Sequence, residues 1–333
     1  MRGWLPWLAL TACVPHPTNP PVARVSIATL PSRAYSLSEA KEQIWHPELR
    51  PPFQLPTRAE ASAVRRIVPE LMLAAGSGSI DPGVIDLAAT VGMRIERWQI
   101  GGGATNLVYL EAPDQRRGAG AYLFSTAHPA SGPTWVLLEA PHAYHDKNTG
   151  TIAAMMYLSP PPGAAPSAFF TNTTHRYTQR NGERDEREFN PADACHSRGH
   201  LLNLATQAAA RAASGAKVVQ LHGFDGNEAD DGGGRPPPDT LAVLSGGEPA
   251  RPTPLAEATT ERLKAGFGVG IRLFPIESSA LGATTNVQRL GLKDAPRARF
   301  LHVEASDRLR ELLLQDPSRR DAFAAALFES PAE

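Results

Sequence analysis

Three apolar runs of the chain each lead to a side chain that can bind a metal ion or transfer a proton. Residues 134–140 lead to His142, and residues 217–221 lead to His222. Residues 298–303 lead to Glu304. Imidazole is a common zinc ligand, and a carboxylate beside a zinc-bound water can take a proton from that water. The three positions together indicate a hydrolytic site that uses metal-activated water.

The loop after the first run offers two further ligands. His142, His145 and Asp146 fall within five residues, so that a single loop can wrap an ion. Catalytic zinc needs three protein ligands and one open position for water, and His222 can supply the ligand that comes from elsewhere in the chain. Either His145 or Asp146 can join His142. The alternative is a polar loop whose histidines cap a helix at Thr149 or bond to the backbone.

Glu304 is a carboxylate at the end of an otherwise apolar run. Burying such a group is costly unless it is paired, so we expect Glu304 to pair with Arg308 one helical turn later, to act in the site, or to do both. As a general base it would take a proton from the metal-bound water and return it to a leaving amine. An arginine would meanwhile orient the substrate carboxylate through a bidentate contact.

Further polar residues are expected to bind the substrate at the same sheet edge. Arg176 is predicted to hold an anionic group, and Asn286 can offer an amide contact to a peptide-like group. His175 stands directly before Arg176, after the apolar residues 167–171. A histidine that only bonds to its own loop is an equally good reading of His175.

The segment around Cys195 opens a predicted helix, with Asp193 or Ser197 as its cap. His196 is an alternative metal ligand or a substrate contact, and a hydrogen-bonded histidine at the helix end is an equal alternative. Cys195 is expected to be a small buried residue, because nothing in the sequence marks it as an activated nucleophile.

These side chains must be positioned by buried strands, because short apolar runs bounded by Pro or Gly are typical of such strands. Strands are predicted at 93–100, 106–112, 121–125, 134–140, 167–171, 217–222, 239–244, 268–274 and 298–304. Helices are predicted at 58–75, 82–91, 150–158, 197–213, 254–265, 306–315 and 318–328. This alternation predicts an α/β fold with a mixed, largely parallel sheet and helices on both faces. Ligands collect at the strand C-termini of such sheets.

The first residues resemble a bacterial lipoprotein signal. A short apolar stretch ends in Leu10-Thr11-Ala12-Cys13, after a single positive charge at Arg2. The resemblance implies cleavage before Cys13 and a lipid on that cysteine, which would anchor the protein in the bacterial cell envelope, at the outer membrane or the periplasmic face. An ordinary secretory signal is the alternative. Residues 1–13 are thus the signal segment with its lipid-bearing cysteine, residues 14–57 a Pro-rich tether, and residues 58–330 a single α/β domain.

Several classes of function are disfavoured. A formal net charge of -1 with scattered Lys and Arg gives no basic surface for nucleic acid. A serine hydrolase is disfavoured because the Gly-x-Ser-x-Gly motif is absent, Ser245 lacking the preceding glycine. Residues 223–238 are poor in apolar groups and are expected to form a mobile loop beside the site.

The order of the motifs resembles the zinc-carboxypeptidase-like hydrolases, nearest the poly-gamma-glutamate hydrolase and N-formylglutamate amidohydrolase branches. The motifs lie within residues 134–315: a strand into an Ala-Pro-His sequence with a following acid, a strand into His-Gly, and a late strand ending in Val-Glu. The resemblance implies a carboxypeptidase-like fold, Zn²⁺ held by His142, Asp146 and His222, and Glu304 as general base. The first loop departs from the family by lacking its glycines and by a shorter gap between the histidine and the acid.

The sequence therefore predicts a zinc-dependent hydrolase of an amide or peptide bond. Its expected substrate is a small peptide-like or carboxylate-bearing molecule, such as a peptide, poly-glutamate or a cell-wall-derived amide, and its expected contact with membrane is through the lipid anchor alone. The alternative is a non-catalytic surface lipoprotein that binds a ligand or partner on the same scaffold.

Overall fold

Ten strands form one mixed sheet in the part of the chain that the structure describes. The structure is a computed structural model, and it describes residues 23–45, 52–128, 135–181, 183, 190–226, 234–295 and 297–329. The sheet strands are β2 (Ser32–Tyr35), β4 (Met93–Ile100), β5 (Thr105–Glu111), β6 (Ala121–Ser125), β7 (Val136–Ala140), β8 (Ala168–Thr171), β9 (Lys217–Phe224), β10 (Ala242–Ser245), β11 (Ile271–Leu273) and β12 (Arg299–Ser306). A separate antiparallel pair joins β1 (Val25–Ser26) to β3 (Ser79–Ile80).

The strand order across the sheet is β11-β10-β12-β9-β7-β8-β6-β5-β4-β2. The four strands β12, β9, β7 and β8 are mutually parallel neighbours. A run of antiparallel pairs continues from β8 through β6 and β5 to β4, and β2 lies parallel to β4 at the edge. The carboxyl ends of β7, β9 and β12 therefore meet at one edge of the parallel block, which is where ligands bind in such sheets.

Helices cover both faces of the sheet. They are α1 (Leu37–Ile44), α2 (Arg58–Ser77), α3 (Pro82–Thr90), α4 (Thr149–Leu158), α5 (Leu201–Ala212), α6 (Pro254–Phe267), α7 (Val287–Gly291), α8 (Asp307–Gln315) and α9 (Pro317–Phe328). The apolar residues of α1, α4, α6, α8 and α9 form one core, and those of α2, α3 and α5 form the other. The predicted α/β class, with its mixed sheet and two covered faces, is confirmed.

Strand β7 illustrates why the central strands read as unbroken apolar runs. Leu138 packs into the core on one face of the sheet, and Leu137 packs into the core on the other face. Every residue of β7 is buried. A strand with helices on both sides must be apolar at successive positions, so it lacks the alternation of a half-exposed strand.

The predicted tether is wrong for the described residues before position 58. Strand β2 joins the main sheet, and α1 buries Ala40 and Ile44 against the core. Phe53 is also buried, and its ring stacks on His200. Elements of only four and eight residues offer few apolar positions, and this hides them in a Pro-rich sequence. The domain thus begins by Val25.

Two predicted segments lie outside the described residues. These are the signal segment with Cys13 and residues 227–233 of the loop that follows β9. Within the described ranges, no helix combines the length and the apolar character needed to cross a bilayer.

Candidate metal centre

A cavity of about 1080 Å³ opens where β7, β9 and β12 end. Its lining includes seven of the residues that the sequence predicts for the site, namely His142, Asp146, Arg176, His196, His222, Asn286 and Glu304. These residues come from positions spread over about half of the chain. The parallel arrangement of the three strands brings His142, His222 and Glu304 together, because each strand delivers its last side chains to the same edge.

His142 and His222 meet inside this cavity. His142 follows β7 and is 3% exposed, and His222 lies near the end of β9 and is 4% exposed. Their ring centroids are 4.7 Å apart, and the ring planes are inclined by 80°. Strands β7 and β9 pair directly in parallel, so the two imidazoles become neighbours although 80 positions separate them in the sequence.

A carboxylate holds each of these two rings from one side. His142 Nε2 lies 3.0 Å from Asp193 Oδ1, and His222 Nδ1 lies 3.2 Å from Asp146 Oδ2. The same oxygen of Asp146 accepts the Gly223 N–H at 3.1 Å and lies 3.8 Å from His142 Nδ1. Carboxylates that hold the second nitrogen of a histidine in this way fix its tautomer and orientation in metal sites.

The charges in the cavity are strongly coupled. Burial opposes protonation of His142, but Cys195 and Asp193 outweigh it and raise the pKa of His142 to about 9. Burial likewise opposes ionisation of Asp146, but His222 and His142 outweigh it and lower the pKa of Asp146 to about 2. The carboxylates therefore stabilise positive charge around the two rings. A bound metal cation carries charge of the same sign, so the carboxylates would stabilise it as well.

Cys195 belongs to the same cluster, which the sequence did not predict. Its Sγ lies 3.6 Å from His222 Nε2. Burial would raise the pKa of the thiol, but His142 and His222 outweigh burial and lower it to about 6. A signal was present in the sequence, because Cys195 lies two residues after Asp193 and one before His196 in a short polar segment.

Two groups of three side chains among the described residues have ligand atoms within 4.8 Å of one another. One group is His142, Cys195 and His222, and the other is His222, His302 and Glu304. Asp146 adjoins both histidines of the first group but belongs to neither group. His145, the alternative to Asp146, lines the cavity and packs its ring against the ring of Tyr177.

Glu304 lies at the cavity near the end of β12. Its Oε1 lies 3.4 Å from His302 Nε2. Burial raises the pKa of Glu304 to about 7, against the lowering effect of His222. The predicted role of Arg308 is wrong, because this residue is exposed on α8 and lies outside the cavity lining. The arginine that turns inward is Arg310, which is buried and donates to the Phe224 carbonyl oxygen at 3.4 Å.

His302 is a second residue of the site that the sequence did not single out. It is 4% exposed and lines the cavity, with its ring centroid 4.7 Å from that of His222. Burial and the neighbouring His222 lower its pKa well below the usual value. The available signal was its position two residues before Glu304, because alternate residues of a strand share one face.

Asp193 connects several of the predicted side chains. Arg176 donates from Nε and Nη2 to Asp193 Oδ2 at 2.9 and 2.6 Å, and His196 Nδ1 lies 3.1 Å from the same oxygen. Asp193 does not cap α5 as predicted, and neither does Ser197. That helix begins at Leu201, and its cap is the side chain of His200. Asp193 is instead part of the wall of the site.

Two predicted substrate contacts serve the protein's own structure. His175 lies outside the cavity lining, and its Nδ1 accepts the Tyr177 N–H at 3.2 Å, which is the loop-bonded alternative. Asn286 does line the cavity, but its Nδ2 donates to Gln220 Oε1 at 2.8 Å. Its Oδ1 accepts the N–H groups of Gln288 and Arg289 and so caps α7.

Comparison with known proteins gives structural neighbours only. No family model matches the sequence, and no curated protein matches it. Zinc-free YndL has a TM-score of 0.37 and 13% identity, over 60% of this chain and 84% of its own. A candidate metallopeptidase from Shewanella denitrificans has a TM-score of 0.35 and 10% identity, over 74% and 87% of the two chains.

An aspartoacylase family protein from Mesorhizobium loti has a TM-score of 0.36 and 11% identity, over 68% of each chain. TM-scores of this size do not establish a shared family.

Proposed function

We propose that this protein is a zinc-dependent hydrolase of an amide or peptide bond. The observation that carries the proposal is the meeting of His142 and His222, with ring centroids 4.7 Å apart, in the cavity that Glu304 also lines. Each imidazole is held by a carboxylate, as in histidines that bind metal. Zinc is the ion that such a set of imidazole, carboxylate and thiolate donors favours.

The spacing of the donor atoms fits a tetrahedral ion. Two ligands that each lie ~2.1 Å from zinc in tetrahedral geometry are ~3.4 Å apart. Asp146 Oδ2 lies 3.2 Å from His222 Nδ1 and 3.8 Å from His142 Nδ1, and these distances bracket that value. Cys195 Sγ is also at a ligand-to-ligand distance from His222. Two imidazoles and one of these two donors complete the three protein ligands that a catalytic site needs.

Residues of the chain would then have separate roles in hydrolysis. Zinc, when bound, supplies a Lewis acid and lowers the pKa of its water toward ~7. Glu304 has its pKa raised to about 7, which suits a group that takes a proton from water and returns it to the leaving amine. Arg176 lines the same cavity and is the proposed contact for a carboxylate of the substrate. We therefore propose a peptide-like or carboxylate-bearing substrate.

The test begins with metal analysis of the purified full chain and of His142→Ala and His222→Ala. We expect about one zinc per chain in the unaltered protein and a loss of that zinc in both variants. The matched control is His128→Ala, which removes a partly buried histidine that bonds to Ser167 outside the cavity. Zinc that survives both site substitutions would refute the proposed centre.

Activity is then measured on small amides of defined chemistry. N-acyl amino acids, glutamate oligomers and peptides from cell-wall material cover the proposed substrate classes. We expect cleavage of at least one class by the zinc-loaded protein, and no cleavage after either histidine is replaced. Stoichiometric zinc without cleavage of any class would instead favour the non-catalytic binding protein.

We also propose that Cys13 carries a lipid and anchors the protein in the bacterial cell envelope. The support is the sequence Leu10-Thr11-Ala12-Cys13 after a short apolar stretch. Expression of the full chain in a bacterium should place it in the detergent phase on phase separation, and Cys13→Ala should move it to the aqueous phase. Equal partitioning of the two proteins would overturn this assignment.

A further inference from the structure

We propose that the Cys195 thiolate is the third protein ligand of the metal, and that Asp146 orients His222 rather than binding the ion. This inference rests on the proposed zinc-dependent function and names the ligand set of that site. The resemblance to known hydrolases implies Asp146 as the third ligand, so the two assignments make different predictions. The evidence lies in how each nitrogen of His222 is used.

The two nitrogens of His222 face different partners. Nδ1 lies 3.2 Å from Asp146 Oδ2, and Nε2 lies 3.6 Å from Cys195 Sγ. Each ring nitrogen can bind one metal ion. An ion at Nδ1 of His222 would replace the contact with Asp146, whereas an ion at Nε2 would leave that contact in place. Of the two groups whose ligand atoms all lie within 4.8 Å of one another, the one that holds both His142 and His222 contains Cys195 and not Asp146.

Asp146 has the contacts of an orienting carboxylate. Its Oδ2 also accepts the backbone N–H of Gly223 at 3.1 Å, beside the contact with His222. This oxygen is therefore bonded to two consecutive residues of β9 and fixes the ring relative to its own strand. Metal-binding histidines usually have such a partner on the nitrogen that does not bind the ion. Asp193 has the same relation to His142 Nε2.

The backbone of Cys195 is held in place at the cavity. Its N–H donates to Asp193 Oδ1 at 3.0 Å, and its carbonyl oxygen accepts the Val287 N–H at 2.8 Å. Asp193 Oδ1 is also the atom that contacts His142 Nε2. One carboxylate oxygen thus sets the position of two members of the proposed ligand set relative to each other, which is a form of preorganisation.

The observed separation of sulfur and nitrogen fits zinc. With Zn–S at ~2.3 Å and Zn–N at ~2.1 Å, a tetrahedral site places the two atoms ~3.6 Å apart. Cys195 Sγ and His222 Nε2 are 3.6 Å apart. Coordination converts the thiol to a thiolate and releases its proton to solvent. Two imidazoles and one thiolate leave the fourth position of the ion for water, as hydrolysis requires.

His302 adds a further buried imidazole to the wall of this cavity. Its Nδ1 is buried and has no hydrogen-bond partner in the described structure. Leaving a buried polar atom unpaired is energetically costly. The ring centroid of His302 lies 4.7 Å from that of His222, and its Nε2 lies 3.4 Å from Glu304 Oε1.

The first test replaces zinc by cobalt, whose absorption reports its ligands. The chain has two cysteines, so Cys13→Ser leaves Cys195 as the sole thiol and serves as the matched control. We expect cobalt-loaded wild type and Cys13→Ser to show an intense thiolate-to-cobalt charge-transfer band in the near ultraviolet. Cys195→Ser should lose the band and bind zinc at least ~10-fold more weakly.

The second test leaves position 195 unchanged, so it does not depend on whether Cys195→Ser folds. In Cys13→Ser, alkylation of the remaining thiol by iodoacetamide is timed with and without zinc. We expect zinc to slow the reaction at least ~10-fold, because a metal-bound thiolate is a poorer nucleophile than a free one. Adding His222→Ala to this background should abolish the protection.

The outcomes separate this inference from the proposed function. Stoichiometric zinc with no charge-transfer band and with equal alkylation rates would overturn the cysteine ligand and leave the metal-dependent hydrolase standing, with Asp146 as the third ligand. Failure of the full chain to bind zinc or cobalt would overturn both proposals together.

Discussion

Glu304 lies directly opposite His222 across the parallel pair of β12 and β9. Residues at matched positions of neighbouring strands lie ~4.8 Å apart along the hydrogen-bonding direction. A proposed base and a proposed metal ligand are therefore fixed to each other by backbone pairing rather than by loops. The sheet sets their separation, so side-chain substitutions at either position should leave the backbone geometry intact.

Replacing the carboxylate of Glu304 by an amide is the sharpest test of its role. We expect Glu304→Gln to lower kcat by ~10²–10⁴, the usual worth of a general acid–base group, because the amide cannot accept a proton from water. Zinc content should remain near that of the unaltered protein. Steady-state kinetics and metal analysis on the same preparation measure both quantities. A variant that retains full turnover would remove Glu304 from the mechanism.

The contact of Asp193 with His142 predicts a positioning role. Asp193→Asn should weaken zinc binding by ~10–100-fold, because the carboxylate holds the second nitrogen of the imidazole at 3.0 Å. Titration with a competing chelator measures the change in Kd. The control is Asp294→Asn, which alters an exposed ion pair with Arg211 and should not change zinc affinity. Similar affinities for the two variants would contradict the positioning role.

Metal removal should lower the thermal stability of the protein. A ligand at 100 times its Kd stabilises the folded state by ~2.7 kcal/mol, which for a chain of this length corresponds to a shift in Tm of about 4 °C. We expect a chelator to remove this shift and zinc to restore it, as followed by calorimetry. In His222→Ala the Tm should not respond to zinc. A zinc response that persists in this variant would mean that the stabilising ion binds elsewhere.

Lys217 should make stability depend on pH, independently of the site. Its side chain is buried on β9, and Nζ donates to the Glu329 carbonyl oxygen at 3.3 Å. Burial lowers its pKa from 10.5 to about 7. The unfolded chain thus keeps the proton to a higher pH than the folded chain. The group therefore opposes folding most below about pH 7, and this opposition fades as the pH rises toward 10.5.

Replacement of Lys217 by an apolar residue of similar length tests this linkage. Lys217→Met should raise the free energy of unfolding at pH 7 and reduce its increase between pH 7 and pH 10, as measured by urea denaturation at several pH values. The exposed Lys293 provides the control, because Lys293→Met should change neither quantity. Parallel pH profiles for wild type and Lys217→Met would show that Lys217 is not the source of the dependence.

Much of the fold could be predicted because its central strands are buried on both faces. Strand β6 has the predicted bounds, and α3 begins at Pro82 as predicted. The elements that were missed, such as β2 and α1, are short. Strand β2 is mostly exposed, and α1 has only eight residues, so its apolar positions Leu37, Ala40 and Ile44 make barely two turns of a pattern.

The site could be predicted only in part. His142, His222 and Glu304 stand at the ends of apolar runs, where a polar side chain is conspicuous. Cys195 is not conspicuous in this way, because its proximity to the site follows from long-range packing, and His302 stands inside its apolar run rather than at the end. Arg308 and Arg310 show the limit of such reasoning, since helix orientation decided which of the two arginines is buried.

The position of β2 bears on how an anchored molecule would meet its substrate. This strand lies at one edge of the sheet, six strand spacings from β9, which is ~29 Å. A lipid on Cys13 would be separated from Val25 by eleven residues, a connection of at most ~43 Å. The lipid would then be attached ahead of the edge strand, and not to any of the three strands that carry the cavity. Because this connection can exceed the distance from β2 to β9, it would leave the cavity free to meet soluble fragments in the surrounding compartment.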